Sequence, residues 1–69
     1  MGSRRAPDPE ELVLRVLRAR GECNFNVIRK DTGLSYYTLT RVIDRLVSKG
    51  IVVEKRVGRL RVIRLVANR

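Results

Sequence analysis

The stretch Asn26–Lys49 constrains the fold more than any other part of this chain. It reads as a short helix, a tight turn at Thr32-Gly33-Leu34, and a longer helix opening at Ser35. The Ser35 hydroxyl is placed to accept a backbone N–H of the first turn. Glycine at position 33 suits a left-handed turn residue. At about 100° per residue, Leu39, Val42, Ile43 and Leu46 fall on one arc of the second helix. Tyr37, Arg41, Asp44 and Ser48 fall on the opposite arc, flanked by Arg45, Thr38 and Thr40. Such a rod is gripped from behind by a core and presents its front to something outside.

The rest of the chain supplies that grip. Asp8-Pro9-Glu10-Glu11 is a helix start, with a capping Asp, proline at the first helical position and carboxylates near the positive end of the helix dipole. Leu12, Val13, Val16 and Leu17 then share a face, and Gly21 stops the helix. Leu14 lies off that stripe, as an edge residue or a dimer contact. Glu22 to Phe25 has room for a strand of two or three residues, with Phe25 pointing inward. Asn26 is the expected cap of the second helix, whose apolar contacts are Val27 and Ile28. After Gly50, residues 51–56 are rich in β-branched side chains, Val57-Gly58-Arg59 is a turn, and residues 60–65 form the returning strand. Alternation slips between Val62 and Ile63, through a bulge or a two-faced strand. An isolated hairpin is marginal, so this one must pack on the helices. Residues 1–7 form a disordered basic arm, residues 8–66 a single domain, and residues 67–69 a tail. Arg4 and Arg5 belong either to a solvated arm or to a minor-groove contact.

Composition narrows what the exposed front meets. With 69 residues the chain holds one small domain, which buries only about 60% of its unfolded surface and has no room for a deep substrate cavity. One cysteine and no histidine leave no internal disulfide, no set of zinc ligands and no histidine base. Cys23 would lack a partner base, so it reads as a small buried or half-buried residue rather than a nucleophile. No catalytic site, metal or cofactor is expected, and no small-molecule substrate is evident. No apolar run approaches the roughly 20 residues of a membrane span, so the expectation is a cytoplasmic, nucleoid-associated protein. The formal net charge is +9, and thirteen of the sixteen cations are arginine. Residues 51–69 hold six Lys/Arg against one acid, over half of the excess. Arginine forks suit phosphate and guanine.

Two helices, a helix-turn-helix and then a β-hairpin resemble the winged helix-turn-helix domains of bacterial and archaeal transcription regulators. The similarity covers residues 8–66. Its most telling piece runs from Thr32-Gly33-Leu34-Ser35 through Thr38, Arg41, Arg45-Leu46 and Lys49-Gly50-Ile51-Val52. It looks like the G-L-S-x-x-T-[VL]-[ST]-R-x-[IL]-x-R-L-x-x-K-G-[IL]-[VI] run of the multiple-antibiotic-resistance-regulator and related superfamilies. The resemblance implies an α+β fold: a winged helix-turn-helix of three helices followed by a two-stranded β-hairpin wing. It implies a double-stranded DNA-binding regulator that reads the major groove with helix 35–48 and sets the 56–61 wing on the backbone or minor groove.

In that reading Ser35, Tyr36, Tyr37, Thr40 and Arg41 face bases or their phosphates, and Thr38 holds a phosphate. Arg45 stands beside them, and Arg56, Arg59 and Arg61 serve the wing. For Tyr36, core packing and nucleic-acid contact stay open. Asp44 either pairs with Arg41 or reads a cytosine amino group. Other readings are a protein-interaction winged helix within a larger assembly and an RNA-binding one that stacks bases on Tyr36 and Tyr37. A homodimer through the first helix or the chain ends is the expected assembly. Two departures stand out. Arg29 occupies a place, four residues before the turn glycine, that is usually small, and the helices that related dimeric regulators use for pairing and effector binding are missing.

Overall fold

The computed structural model describes residues 8–66. The expected basic arm 1–7, with Arg4 and Arg5, and the tail 67–69 lie outside them. In chain order the elements are α1 (Pro9–Arg20), β1 (Glu22–Asn24), α2 (Phe25–Thr32), α3 (Tyr36–Ser48), β2 (Val52–Val57) and β3 (Leu60–Leu65). The strands form one antiparallel sheet in the order β1-β3-β2. The expected hairpin therefore gains a third strand, because the short Glu22–Asn24 segment pairs with β3.

Local chemistry sets the helix ends. Asp8 caps α1 by accepting from the Glu10 N–H, and Pro9 takes the position where a missing N–H costs nothing. α2 starts earlier than its sequence suggests: Asn24, not Asn26, is the cap, accepting from the Val27 N–H at 3.0 Å. The strand before it holds Asn24 extended, so the first asparagine available takes the cap and Phe25 becomes the first helical residue. Ser35 caps α3 through the Thr38 N–H. At the far end of α3, Gly50 N–H donates to the Val47 carbonyl and Ile51 N–H to the Leu46 carbonyl. Gly50 has φ of 74°, so this is a Schellman stop. It holds Ile51, which is why β2 opens at Val52 rather than at position 51.

The core draws on every layer. Val13 and Leu17 of α1, Phe25 and Ile28 of α2, the four α3 residues Leu39, Val42, Ile43 and Leu46, and Val52 and Ile63 of the sheet are all buried. Each such aliphatic side chain contributes about 1.5–3 kcal/mol of burial. Leu14 packs against this cluster and Leu12 does not, so the buried stripe of α1 is rotated from the expected one. The slipped alternation in β3 has a simple cause. Its pairing runs without a skipped residue from Val57↔Leu60 to Val52↔Leu65, so there is no bulge. β3 is a central, two-faced strand, with Ile63 buried and Val62 half-buried on the other side.

The wing turn is shorter than expected. Val57 pairs with Leu60, leaving Gly58-Arg59 as a two-residue loop. Gly58 has φ of 63° and no non-glycine residue among the described residues has positive φ, the pattern of a type II′ turn. The corner between α2 and α3 is closed twice over. Gly33, with φ of 76°, donates its N–H to Arg29. The Thr32 hydroxyl donates to the Ile28 carbonyl at 2.7 Å and accepts the Leu34 N–H at 3.2 Å. This corner fixes the angle at which α3 leaves α2.

Candidate nucleic-acid interface

The buried back of α3 leaves its front outside. Tyr37 is 69% exposed, and Ser35, Arg41, Asp44, Arg45 and Ser48 are exposed with it. Arg41 does not pair with Asp44. Its Nη1 donates to the Tyr37 hydroxyl at 3.0 Å, and its guanidinium carbon lies 5.6 Å from the centre of that ring. The two side chains, one turn apart, thus stand as one unit. Tyr36 packs on the core and stays half exposed: its ring lies 5.3 Å from Phe25, tilted by 59°.

The hydroxyls behave differently from one another. Ser35 Oγ donates to Thr38 Oγ1 at 3.1 Å and accepts the Thr38 N–H, so both sit at the amino end of α3, where orphan N–H groups favour an anion. Thr40 departs from expectation. It is half-buried, and its Oγ1 is shut from solvent with no hydrogen-bond partner, so it presents no hydroxyl outward. The cause is its position on the flank of the helix, beside the buried Leu39 and Ile43.

Arg45 and Lys49 reach back to Glu10 of α1, at 3.7 and 3.3 Å. Glu10 is therefore a brace between α1 and α3. Arg45 stays about half exposed and keeps donors for another partner.

On the wing the three arginines separate. Arg56 and Arg59 are exposed and have no ion pair among the described residues. Arg61 is different. Its Nε donates to Glu54 Oε2 at 2.7 Å, and its guanidinium lies 4.4 Å from the Phe25 ring centre. Glu54 pairs across the strands with Ile63 and Arg61 with Arg56, so Glu54 and Arg61 are diagonal neighbours on one face. The Glu54 hydrogen bond pushes the Arg61 guanidinium pKa above its ordinary value. Arg61 thus serves as a strut in a chain of packing: Glu54, Arg61, Phe25, Tyr36. That chain joins the wing to the start of α3.

Arg29, the residue in place of a usual small one, is exposed. With Asn26, Phe25 and Tyr36 it lines a cleft of about 230 Å³ that Arg59 and Arg61 close from the wing side. Sequence reasoning saw Arg29 only as a departure. The signal was its cationic head on the α2 surface, and its partner across the cleft lies thirty residues later in the chain. Cys23 packs at the edge of the core, and burial raises its thiol pKa. No group of three metal-ligating side chains occurs among the described residues, nor is any helix there long and apolar enough to cross a membrane.

The penicillinase repressor family matches residues 7–68. The chain belongs to the penicillinase repressor family. As a member, it carries the winged-helix DNA-binding domain of a transcription regulator, in a family of repressors. A crystal structure of the PcaV transcriptional regulator from Streptomyces coelicolor, in complex with its natural ligand, is similar at a TM-score of 0.82 and 28% identity. That similarity covers 96% of this chain and 49% of PcaV, so this repressor-family chain spans about half the length of its structural relative. No curated protein matches it.

Proposed function

We propose that this domain binds double-stranded DNA with the front of α3 in the major groove and the wing along the backbone, and that it acts as a repressor in the cytoplasm, on the nucleoid. The observation that carries the reading is the Tyr37–Arg41 unit, held outward on a helix whose opposite face is wholly buried. Arg41 has donors left over for a base edge or phosphate. Ser35, Thr38 and Tyr36 sit at the amino end of the helix, Arg45 adds charge in its last turn, and Arg56 and Arg59 add charge on the wing. Thr40 and Arg61 act from behind, through packing. Single-stranded RNA fits less well. It wants open aromatic faces, and Tyr36 already packs on Phe25 while Tyr37 is engaged by Arg41.

Selection from random duplexes, followed by anisotropy titration of the preferred site, tests this. Arg41→Ala costs about 1–3 kcal/mol on that site if it reads a base. A combined Arg41, Arg56 and Arg59 to alanine variant that binds duplex as tightly as the parent sinks the proposal, as does a clear preference for single-stranded RNA.

Assembly follows the surface. α1 turns the charged Glu11, Arg15 and Arg18 outward and packs Leu14 inward. We therefore propose that α1 alone does not pair two copies, and that a homodimer on a palindrome uses surface beyond the described helices.

A further inference from the structure

We propose that the cleft between α2 and the wing seats one phosphate of the DNA backbone, gripped by Arg29 from the helix and Arg59 from the wing. This rests on the duplex reading above and names a contact that reading does not contain.

The cleft has the right chemistry. Among its lining residues are three arginines and no carboxylate. Arg61 is engaged by Glu54 and stacked on Phe25, so it forms a wall. Arg29 and Arg59 have no ion pair among the described residues. Two guanidiniums across one opening, with nothing anionic between them, lose repulsion when an anion enters. A phosphodiester offers two acceptor oxygens, which suit two guanidinium forks. The Asn26 amide at the same opening is a further donor. The first turn of α2 has no acidic residue, so the helix dipole adds to the positive field there. By contrast, the groove beside Tyr37 and Arg41 also contains Asp8 and Glu10, and its charge is mixed.

Position selects DNA as the source of the anion. Tyr36 belongs both to the cleft and to the first turn of α3. A phosphate seated here lies beside the helix end that faces the bases, where the backbone of a bound duplex leaves the major groove. The struts that hold Arg61 also fix the width of the cleft, because they tie the wing to Phe25.

The test is the salt dependence of duplex binding for the parent, Arg29→Ala, Arg59→Ala and the double variant, each checked for folding by thermal melting. One shared phosphate accounts for a slope of about 0.9 in log K against log salt. Each single variant is expected to weaken binding evenly across sequences, and the double variant to lower the slope by about 0.9 in total. A parent that binds duplex while Arg29→Ala changes neither affinity nor slope overturns the seat and leaves the duplex reading standing. A double variant whose slope falls by about 1.8 overturns it too, since two separate phosphates would then be involved. A parent that does not bind duplex at low salt overturns the duplex reading itself. If Arg29→Ala weakens single-stranded RNA and spares duplex, the assigned ligand is wrong.

Discussion

Thr40 carries a hydroxyl that is buried and makes no hydrogen bond. Leaving such a group unpaired costs about 1–3 kcal/mol. Thr40→Val is therefore expected to raise the thermal midpoint, by about 1 kcal/mol of stability, and to leave duplex affinity unchanged. A lower midpoint would contradict the account. The helical wheel placed Thr40 beside the outer arc correctly, but a wheel gives direction and not what covers the flank. Arg61 illustrates the same limit on a strand. The resemblance set it with Arg59 as a contact of the wing, whereas its pairing with Glu54 depends on the two-residue turn, which makes them diagonal neighbours. Arg61→Ala should cost about 1–2 kcal/mol, from a half-buried ion pair and a cation over an aromatic ring. Its salt slope for duplex binding should stay that of the parent, which separates a strut from a phosphate contact. Cys23 reacts late: with its pKa above the ordinary 9.0 through burial, alkylation followed against pH should show a midpoint higher than that of the unfolded chain.

At the scale of elements, the α2–α3 corner was the most readable part of the chain. Gly33, the Thr32 side chain and the Ser35 cap are local devices, each working within four residues, so their chemistry is written where they act. Gly33→Ala tests the corner. Nothing lies within 4 Å of the Cβ it would add, so its effect is backbone strain alone, about 1–2 kcal/mol. Denaturant titration should show that loss, with Gly33→Asn losing less because asparagine tolerates the left-handed region. Element boundaries were less readable where two signals competed. Asn24 and Asn26 are both capping residues, and the choice fell to the one that the β1–β3 pairing holds extended. The beginning of β2 moved by one residue because the stop after α3 uses the Ile51 N–H.

For the molecule as a whole, patterning was enough for three helices and a hairpin, since buried and exposed faces follow the helical and strand periods. It was not enough for the cleft, whose two sides come from α2 and the wing and meet only after folding. Whatever surface pairs two copies, Arg15→Glu on the charged outward side of α1 is expected to leave the sedimentation velocity profile unchanged; a shift toward a smaller species would place α1 in the seam. Ile63 is fully buried in the middle strand, which packs on α1 and α2 as well as on its two neighbouring strands. Ile63→Ala should cost about 2–5 kcal/mol, a large share of what a domain this small possesses. The sheet order β1-β3-β2 also bears on synthesis. The segment that lies between its two neighbours is the last of the three to leave the ribosome. Until residues 60–65 have emerged, β1 has no strand to pair with and the hairpin does not exist. A nascent chain halted before that point lacks the paired sheet that carries Arg56 and Arg59, so the proposed grip on duplex DNA is expected only once translation of the domain is finished.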